Sequence, residues 1–558
     1  MRPVRERIAD VIGAGFARAQ EAGALPAFVV PEVLVERPRQ EGFGDYATAA
    51  AMQSARLARM APLKIAQAVV AHLPRADFLD RAELAPPGFI NLMLNDAWLA
   101  EQVETVLREQ DVFARADLGR GKRIQVEYGS ANPTGPLHVG FARNVVIGDA
   151  LANVLAEAGY DVQREYYIND AGTQMQLFGQ SLYARYAQAF GLDVPVPENG
   201  YQGQYLVDWA REIAEAEGRR FLDTPYDEAT DALAQYGLRE KVLRSVRQDC
   251  ERLGIHYDNW FSEKSLYRDG SYEAAMEVLR RGGHVSEHDG AVWFDATKLG
   301  ADKDEVLVRS SGLTGYFASD VAYHYDKFVA RGFDRVIDVW GADHQGHVPR
   351  MKAMMTALGL DPDRLYLMIY QLVTLKRGGE IVRLSKRTGD IITLRELIEE
   401  VSPDAVRYFL VSRSPESQMD FDLELAVRQS DENPVFYVQY AHARIASVLR
   451  LATASDVTYS DGDVSLLTHS SEIALIRQML QMPEVVLDAA RDLAPHRLAY
   501  YAYDVARAFH VFYRDCRIVS SAQEEAAVGK ARLKLARAAQ IVLARALAIM
   551  GMTAPERM

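Results

Sequence analysis

Apolar residues follow two rhythms along the chain, and the places where one gives way to the other mark its organisation. In residues 62–73, "PLKIAQAVVAHL" repeats at helical spacing, while "FVVPEVLVERP" and "GFINLML" are short β-like runs, so residues 1–115 read as a small α+β module. The module closes at the charged, glycine-containing "ADLGRGKR". A short strand follows in "RIQVEYGS", then a loop, then the helix "ARNVVIGDALANVLAEAG" ended by Gly159, then a second strand in "YDVQREYYIND". Strand, loop, helix and strand in about forty-five residues make a βαβ unit, the building block of a nucleotide-binding parallel sheet.

Residues of about 175–270 are polar and helical with scattered aromatics, and read as an insertion. Strand and helix then alternate again in "VRSSGLTGYFASDVAYHYDKF", "DRVIDVWGADHQGHVPRMKAMMTALG" and "LYLMIYQLVTL". From residue 434 onward the period is helical throughout, with no internal repeat or low-complexity tract. The predicted architecture is an α/β Rossmann-like domain over 116–375 with its helical insertion, a connecting region over 376–433, and an all-α bundle over 434–558.

Composition narrows the classes. A chain of 558 residues, 49% hydrophobic, has room for three or four domains. It shows no run of about eighteen apolar residues and begins "MRPVRERIADVIGAGF" without the apolar core of a secretory signal, so a cytoplasmic location and no membrane contact are expected. Cys250 and Cys516 alone exclude a disulfide framework or a cysteine zinc site. A net charge of -14 argues against coating nucleic acid by bulk electrostatics but leaves local basic stripes open. Lys530, Arg532, Lys534, Arg537 and Arg545 are such a run, read either as a solvated helix face or as a phosphate-facing stripe.

Two loops carry the candidate chemistry. "ANPTGPLHVGFARN", residues 131–144, sets a Gly- and Pro-rich turn between strand and helix, where backbone N–H groups and the positive helix end suit a phosphate chain, with His138 as a further donor. "GGEIVRLSKRTGDIITL", residues 378–394, puts Arg383, Lys386 and Arg387 on a turn closed by Gly389, a cationic clip suited to a leaving pyrophosphate. His344 and His347 stand three residues apart in "WGADHQGH", a spacing that fits a nucleotide edge better than a metal because no third ligand is evident.

"HVGF" and "RLSKR" resemble the HIGH and KMSKS signatures of class I aminoacyl-tRNA synthetases. The stretches "VEYGSANPTGPLHVG", "REYYINDAG", "VWGADHQGHVPRMKA", "PVFYVQYAHARI" and "APERM" resemble the arginyl-tRNA synthetase family in particular, as do "GDYATAAA" and "PPGFINLML" near the N-terminus. The resemblance runs end to end. It implies ATP-dependent attachment of L-arginine to tRNA(Arg) through an arginyl-adenylate, with Mg2+ accompanying ATP, typically with tRNA bound for the first step, in a monomer. It implies an N-terminal module on the tRNA elbow, a KMSKS-loop and stem-contact region over 376–433, and an anticodon-binding bundle. It assigns Glu127, Tyr316 and Asp320 to the guanidinium, Ser130 and Asn132 to the backbone end of arginine, and His138, Lys386 and Arg383 to catalysis. Pro133, His138, Gly140, Gly341, Asp343, His344, Ser385 and Lys386 are assigned to ATP.

The motifs also depart from the family pattern. Phe141 stands where the signature has its second His, removing a donor and a charge. An active synthetase and a catalytically impaired, synthetase-like tRNA-binding protein are the two readings this leaves. Residue 383 is Arg where Lys is common, and "RSSGLTGYFASD" has Ser311, Leu313 and Gly315 in place of the usual Asp-Gly-Thr surroundings. Phe436, Tyr437, Tyr440 and Ile445 lie at helical spacing and read as core packing, with Tyr437 and Gln439 as lesser RNA-contact candidates. Phe43 and Tyr46 either present a stacking platform to RNA or close the core of their module.

Overall fold

The computed structural model describes residues 2–38, 40, 42–130, 137, 139–382, 392–519 and 526–558. Its centre is a five-stranded parallel sheet of β1 (Arg123–Glu127), β2 (Asp161–Ile168), β3 (Asn259–Ser262), β4 (Arg335–Gly341) and β5 (Leu365–Tyr370), in the spatial order β5-β4-β1-β2-β3. The chain leaves β1 toward one edge and returns to pair β4 on its other side. The crevice beyond the carboxyl ends of β1 and β4 is therefore the topological switch point, where open α/β sheets bind ligands.

A smaller sheet follows, in which β6 (Val373–Arg377) pairs antiparallel with β7 (Glu380–Ile381) and parallel with β8 (Met419–Asp422). The helices that build the site are α1 (Val139–Glu157), α2 (Tyr316–Tyr325), α3 (Leu394–Val401) and α4 (Pro403–Val411). The C-terminal bundle includes α5 (Pro434–Ala454), α6 (Met482–Arg491), α7 (Arg497–Asp515) and α8 (Ala526–Ile549). Period-2 alternation divides the central sheet between two cores. In β4, Ile337 and Val339 join the apolar cluster of α1, and Val336 joins the cluster of α2. Helix α1 is long and apolar enough to cross a membrane, but 83% of its apolar window is buried inside the protein, which makes it the core helix of this sheet.

Three expectations change. The stretch read as a helical insertion contains β3, which pairs parallel with β2 as an edge of the central sheet. The antiparallel N-terminal sheet ends at Leu94, and the helix Asp96–Glu109 that follows packs against Ser470–Met479 and α8 of the bundle. Four of the five cations in the basic run on α8 are taken up in ion pairs, and the fifth, Arg537, donates to Gln540 on the same helix. Lys530 pairs with Asp461, Arg532 with Glu472, Lys534 with Glu104 and Arg545 with Glu157, so these cations tie α8 to its neighbours.

Candidate active site

Three carboxylates and an amide stand side by side on one face of the sheet. Asp338 on β4 is in register with Glu127 on β1, Glu127 with Glu165 on β2, and Glu165 with Asn259 on β3. Such a row is costly to bury unless cations and donors reach it. They come from α2 and the π-helical turn Asp326–Ala330 that continues it. Lys327 Nζ donates to Glu127 Oε2 at 2.5 Å and to Asp338 Oδ1 at 2.9 Å. Arg331 grips both oxygens of Glu165 at 2.5 and 3.0 Å, and Tyr323 donates its hydroxyl to the same carboxylate. His324 bridges the row to α2, with Nε2 2.9 Å from Asp338 Oδ2 and Nδ1 2.8 Å from the Asp320 carbonyl.

Two carboxylates of this neighbourhood, Asp320 and Glu263, have no ion pair among the described residues, and Glu263 is instead hydrogen-bonded by Ser319 and Tyr167. Asp320 lies half-buried one turn into α2. Burial, reinforced by Glu263, Glu127 and Asp338 and opposed by Lys327, pushes its carboxyl up to about 8. Burial raises Glu127 to about 7 despite Lys327. Asp338 is held below the ordinary carboxylate range because Lys327 and His324 outweigh its burial. The pocket thus has an excess of acidic groups over cations, the electrostatic complement of a positively charged guest.

Six of the other predicted residues are described. Ser130 is exposed three residues beyond β1, and Tyr316 opens α2 with its ring exposed and the Arg309 guanidinium 6.0 Å from its centre. Gly341 ends β4, and Asp343 and His344 are exposed on the 3-10 turn Ala342–His347, with His344 Nε2 3.4 Å from Asp343 Oδ2. Gly140 is the second residue of α1. Asn132, Pro133, His138, Arg383, Ser385 and Lys386 lie outside the described residues, as do Arg387 and Gly389. Their described flanks nevertheless meet, since Leu394 N donates to Leu137 O at 2.8 Å and Val139 N donates to Ile392 O at 3.2 Å. The residues on either side of His138 are thereby stitched to the two-residue-spaced exit of the second motif. Among the described residues no group of three or more His, Cys, Asp and Glu side chains is placed to hold a metal ion.

Family models divide the chain three ways. "Arginyl tRNA synthetase N terminal domain" matches residues 5–94, "tRNA synthetases class I (R), catalytic domain" matches 102–422, and "DALR anticodon binding domain" matches 438–558. An arginine--tRNA ligase of Dehalococcoides mccartyi is 48% identical over 100% of this chain and 99% of its own length. The chain belongs to the arginyl-tRNA synthetase family. An arginine--tRNA ligase of Heliobacterium modesticaldum is likewise 48% identical, over 100% of this chain and 99% of its own. The Thermus thermophilus arginyl-tRNA synthetase structure matches 100% of both chains with a TM-score of 0.75 at 25% identity.

As a family member the chain has a class I, ATP-using catalytic domain. Within it, spacing alone did not reveal Asn144, whose Oδ1 accepts from Gly129 N at 2.6 Å and whose Nδ2 donates to Val339 O at 2.7 Å. This side chain ties α1 to the ends of both switch-point strands. Gly129 has φ +89, and a Cβ there would lie 2.4 Å from the Tyr257 hydroxyl, so no other residue fits the turn. Phe141 is buried, 8% exposed, within the large apolar cluster. Gln439 is not an RNA contact, because it is buried and donates to Asp404 and to the Thr553 carbonyl. Phe436, Tyr437 and Tyr440 are half-buried rather than deep core, with Tyr437 and Tyr440 packed on His510 of α7 and Phe436 stacked on Tyr440, whereas Ile445 is fully buried. Tyr46 is no stacking platform, since its buried hydroxyl donates to Glu484 Oε1 on α6 at 2.7 Å, while Phe43 is 43% exposed.

Proposed function

We propose that this chain joins L-arginine to tRNA(Arg) in two steps at the β1/β4 crevice. In the first, the arginine carboxylate attacks the α-phosphorus of ATP, the bond to the β-phosphate breaks, and diphosphate leaves. In the second, a ribose hydroxyl at the tRNA 3′ end attacks the carbonyl and AMP leaves. The observation that carries this reading is Asp320, a carboxylate with no cation of its own among the described residues, beside the buried Glu127. A guanidinium offers paired donors to carboxylates, a geometry an ammonium cannot match.

Ser130 and Asn132 hold the α-amino and carboxylate end of the substrate in this reading. Pro133, His138, Gly140, Gly341, Asp343, His344 and Ser385 receive the nucleotide. His138, Arg383 and Lys386 stabilise the charge that builds on the transferring phosphate, a reaction driven by positioning and cations without a covalent enzyme intermediate. Mg2+ bound with ATP neutralises phosphate charge. The N-terminal module, 1–115 in the sequence division, contacts the tRNA elbow, residues 376–433 the acceptor stem, and the bundle over 434–558 the anticodon, in a cytoplasmic monomer. The aromatic face of α5 is only partly covered, and the ring surface it leaves open supports the last of these contacts, since open ring faces stack unpaired bases.

The decisive experiment is aminoacylation of total tRNA with each of the twenty amino acids and Mg·ATP, using the native chain and Phe141→His. Arginine alone is expected to be charged. The substitution is expected to bring no gain in rate, because its imidazole would enter an apolar site. Charging only after Phe141→His would instead establish an impaired synthetase-like protein.

Acid should weaken arginine binding. A cation prefers the ionised form of Asp320, so the proton held below about pH 8 must leave when arginine binds. Between pH 8 and pH 6 the arginine KM is expected to rise, by up to about tenfold per pH unit for one proton. A flat profile over that window would remove Asp320 from guanidinium recognition.

A further inference from the structure

Arg143, two residues beyond Phe141 on α1, is fully buried, and among the described residues no carboxylate pairs with it. Its Nη1 donates to Gln371 O at 2.6 Å and Ser417 O at 2.8 Å, and its Nη2 to Ser414 O at 2.9 Å. Those carbonyls mark one joint. Gln371 lies between β5 and β6, and residues 414–417 lead into β8, the parallel partner of β6. Gln371 N also donates to Pro415 O at 2.9 Å, closing the joint from the backbone side.

Burying a guanidinium on neutral carbonyls is costly, and desolvation lowers its pKa to about 10. An apolar residue would fill the volume more cheaply, but it would not hold three carbonyl groups in a fixed plane. From β6 the chain runs through β7 toward residues 383–391, the second signature motif.

We infer that Arg143 is a positioning residue for adenylate formation, fixing the root of the β6–β8 sheet against the helix that follows the first signature motif. The inference rests on the reading that Lys386 stabilises the transferring phosphate. Arg143 clamps the approach to the second motif, and the Leu137, Val139, Ile392 and Leu394 backbone bonds clamp its exit. The arginine pocket lies on the opposite face of the sheet, under α2, and does not share this clamp.

The test is arginine-dependent ATP–pyrophosphate exchange, with tRNA present, in Arg143→Lys, Lys386→Ala and the double variant. Lysine keeps the charge but lacks the planar fork. Arg143→Lys is expected to lower kcat by about a hundredfold, the cost of an ångström of misplacement, and to leave the arginine KM within about threefold. In the Lys386→Ala background the same change is expected to have little further effect, since both act through one group. Additive losses, an unchanged kcat, or an arginine KM rising in step with the fall in kcat would each overturn the proposal. Should Arg143→Lys fail to fold, Leu372→Gly loosens the same joint at a residue 66% exposed. It is expected to lower kcat, again without effect once Lys386 is gone, and full activity in that variant would overturn the proposal. Absence of exchange in the native chain would instead refute the adenylate reading itself and leave Arg143 out of account.

Discussion

Asp320→Asn is expected to raise the arginine KM by about a hundredfold or more while the ATP KM stays within about threefold. Removing one member of a desolvated charge pair costs about 2–5 kcal/mol, much of it from the partner left without a counter-ion. Here that partner is the substrate. Asparagine preserves shape and one acceptor, so the loss isolates charge from volume. Glu127 does not make up the lost charge, because its own is already shared with Lys327, which holds one of its oxygens at 2.5 Å. Steady-state exchange kinetics with arginine and ATP varied in turn provide the measurement, and equal loss toward both substrates would detach Asp320 from the guanidinium.

The second large effect concerns stability. Arg407 on α4 is fully buried, and it donates to Asp149 on α1, to the Met550 carbonyl at 2.7 Å and to the Leu253 carbonyl at 2.8 Å. One guanidinium thus joins the helix after the first signature motif, the end of the inserted segment and the end of α8. Gly551 has φ +72, and a Cβ there would fall 1.9 Å from Arg407 Nη2, so the tail can approach only as glycine. Arg407→Ala strands Asp149 in the interior and is expected to destabilise the fold by about 3–5 kcal/mol. Adding Asp149→Asn should recover part of that loss. Denaturant unfolding of the three variants measures both, and a double variant no more stable than Arg407→Ala would locate the cost outside the pair.

The strand-loop-helix-strand of residues 123–168 and the helical C-terminal third were legible because their periods are long and uninterrupted. Asn259–Ser262 was not, since four residues flanked by helices carry too little periodicity to declare a strand. The carboxylate row was half legible. Glu127 and Asp320 stood out through the family resemblance, but Lys327 and Arg331 read as ordinary charges on a helical stretch. Their role exists only when a π-helical turn lays them across three strands drawn from distant parts of the chain. Arg143 and Asn144 stood in plain view beside the first motif, yet the partners that place them, from Gly129 and Val339 to Gln371, Ser414 and Ser417, are backbone groups, which sequence does not specify.

The helix Asp96–Glu109 also bears on how the molecule is made. Trp98, Leu99, Val103 and Val106 are buried, Lys534 meets Glu104 at 2.5 Å, and Arg477 meets Asp96 at 2.8 Å. The ribosome delivers α8 roughly four hundred residues after this helix, which at 5–20 residues per second is roughly 20–80 seconds. Throughout that interval Trp98 already has its partner in Phe78 of the N-terminal module, but the face of the helix that α8 covers has no lasting partner, so this part of the chain waits for its own far end.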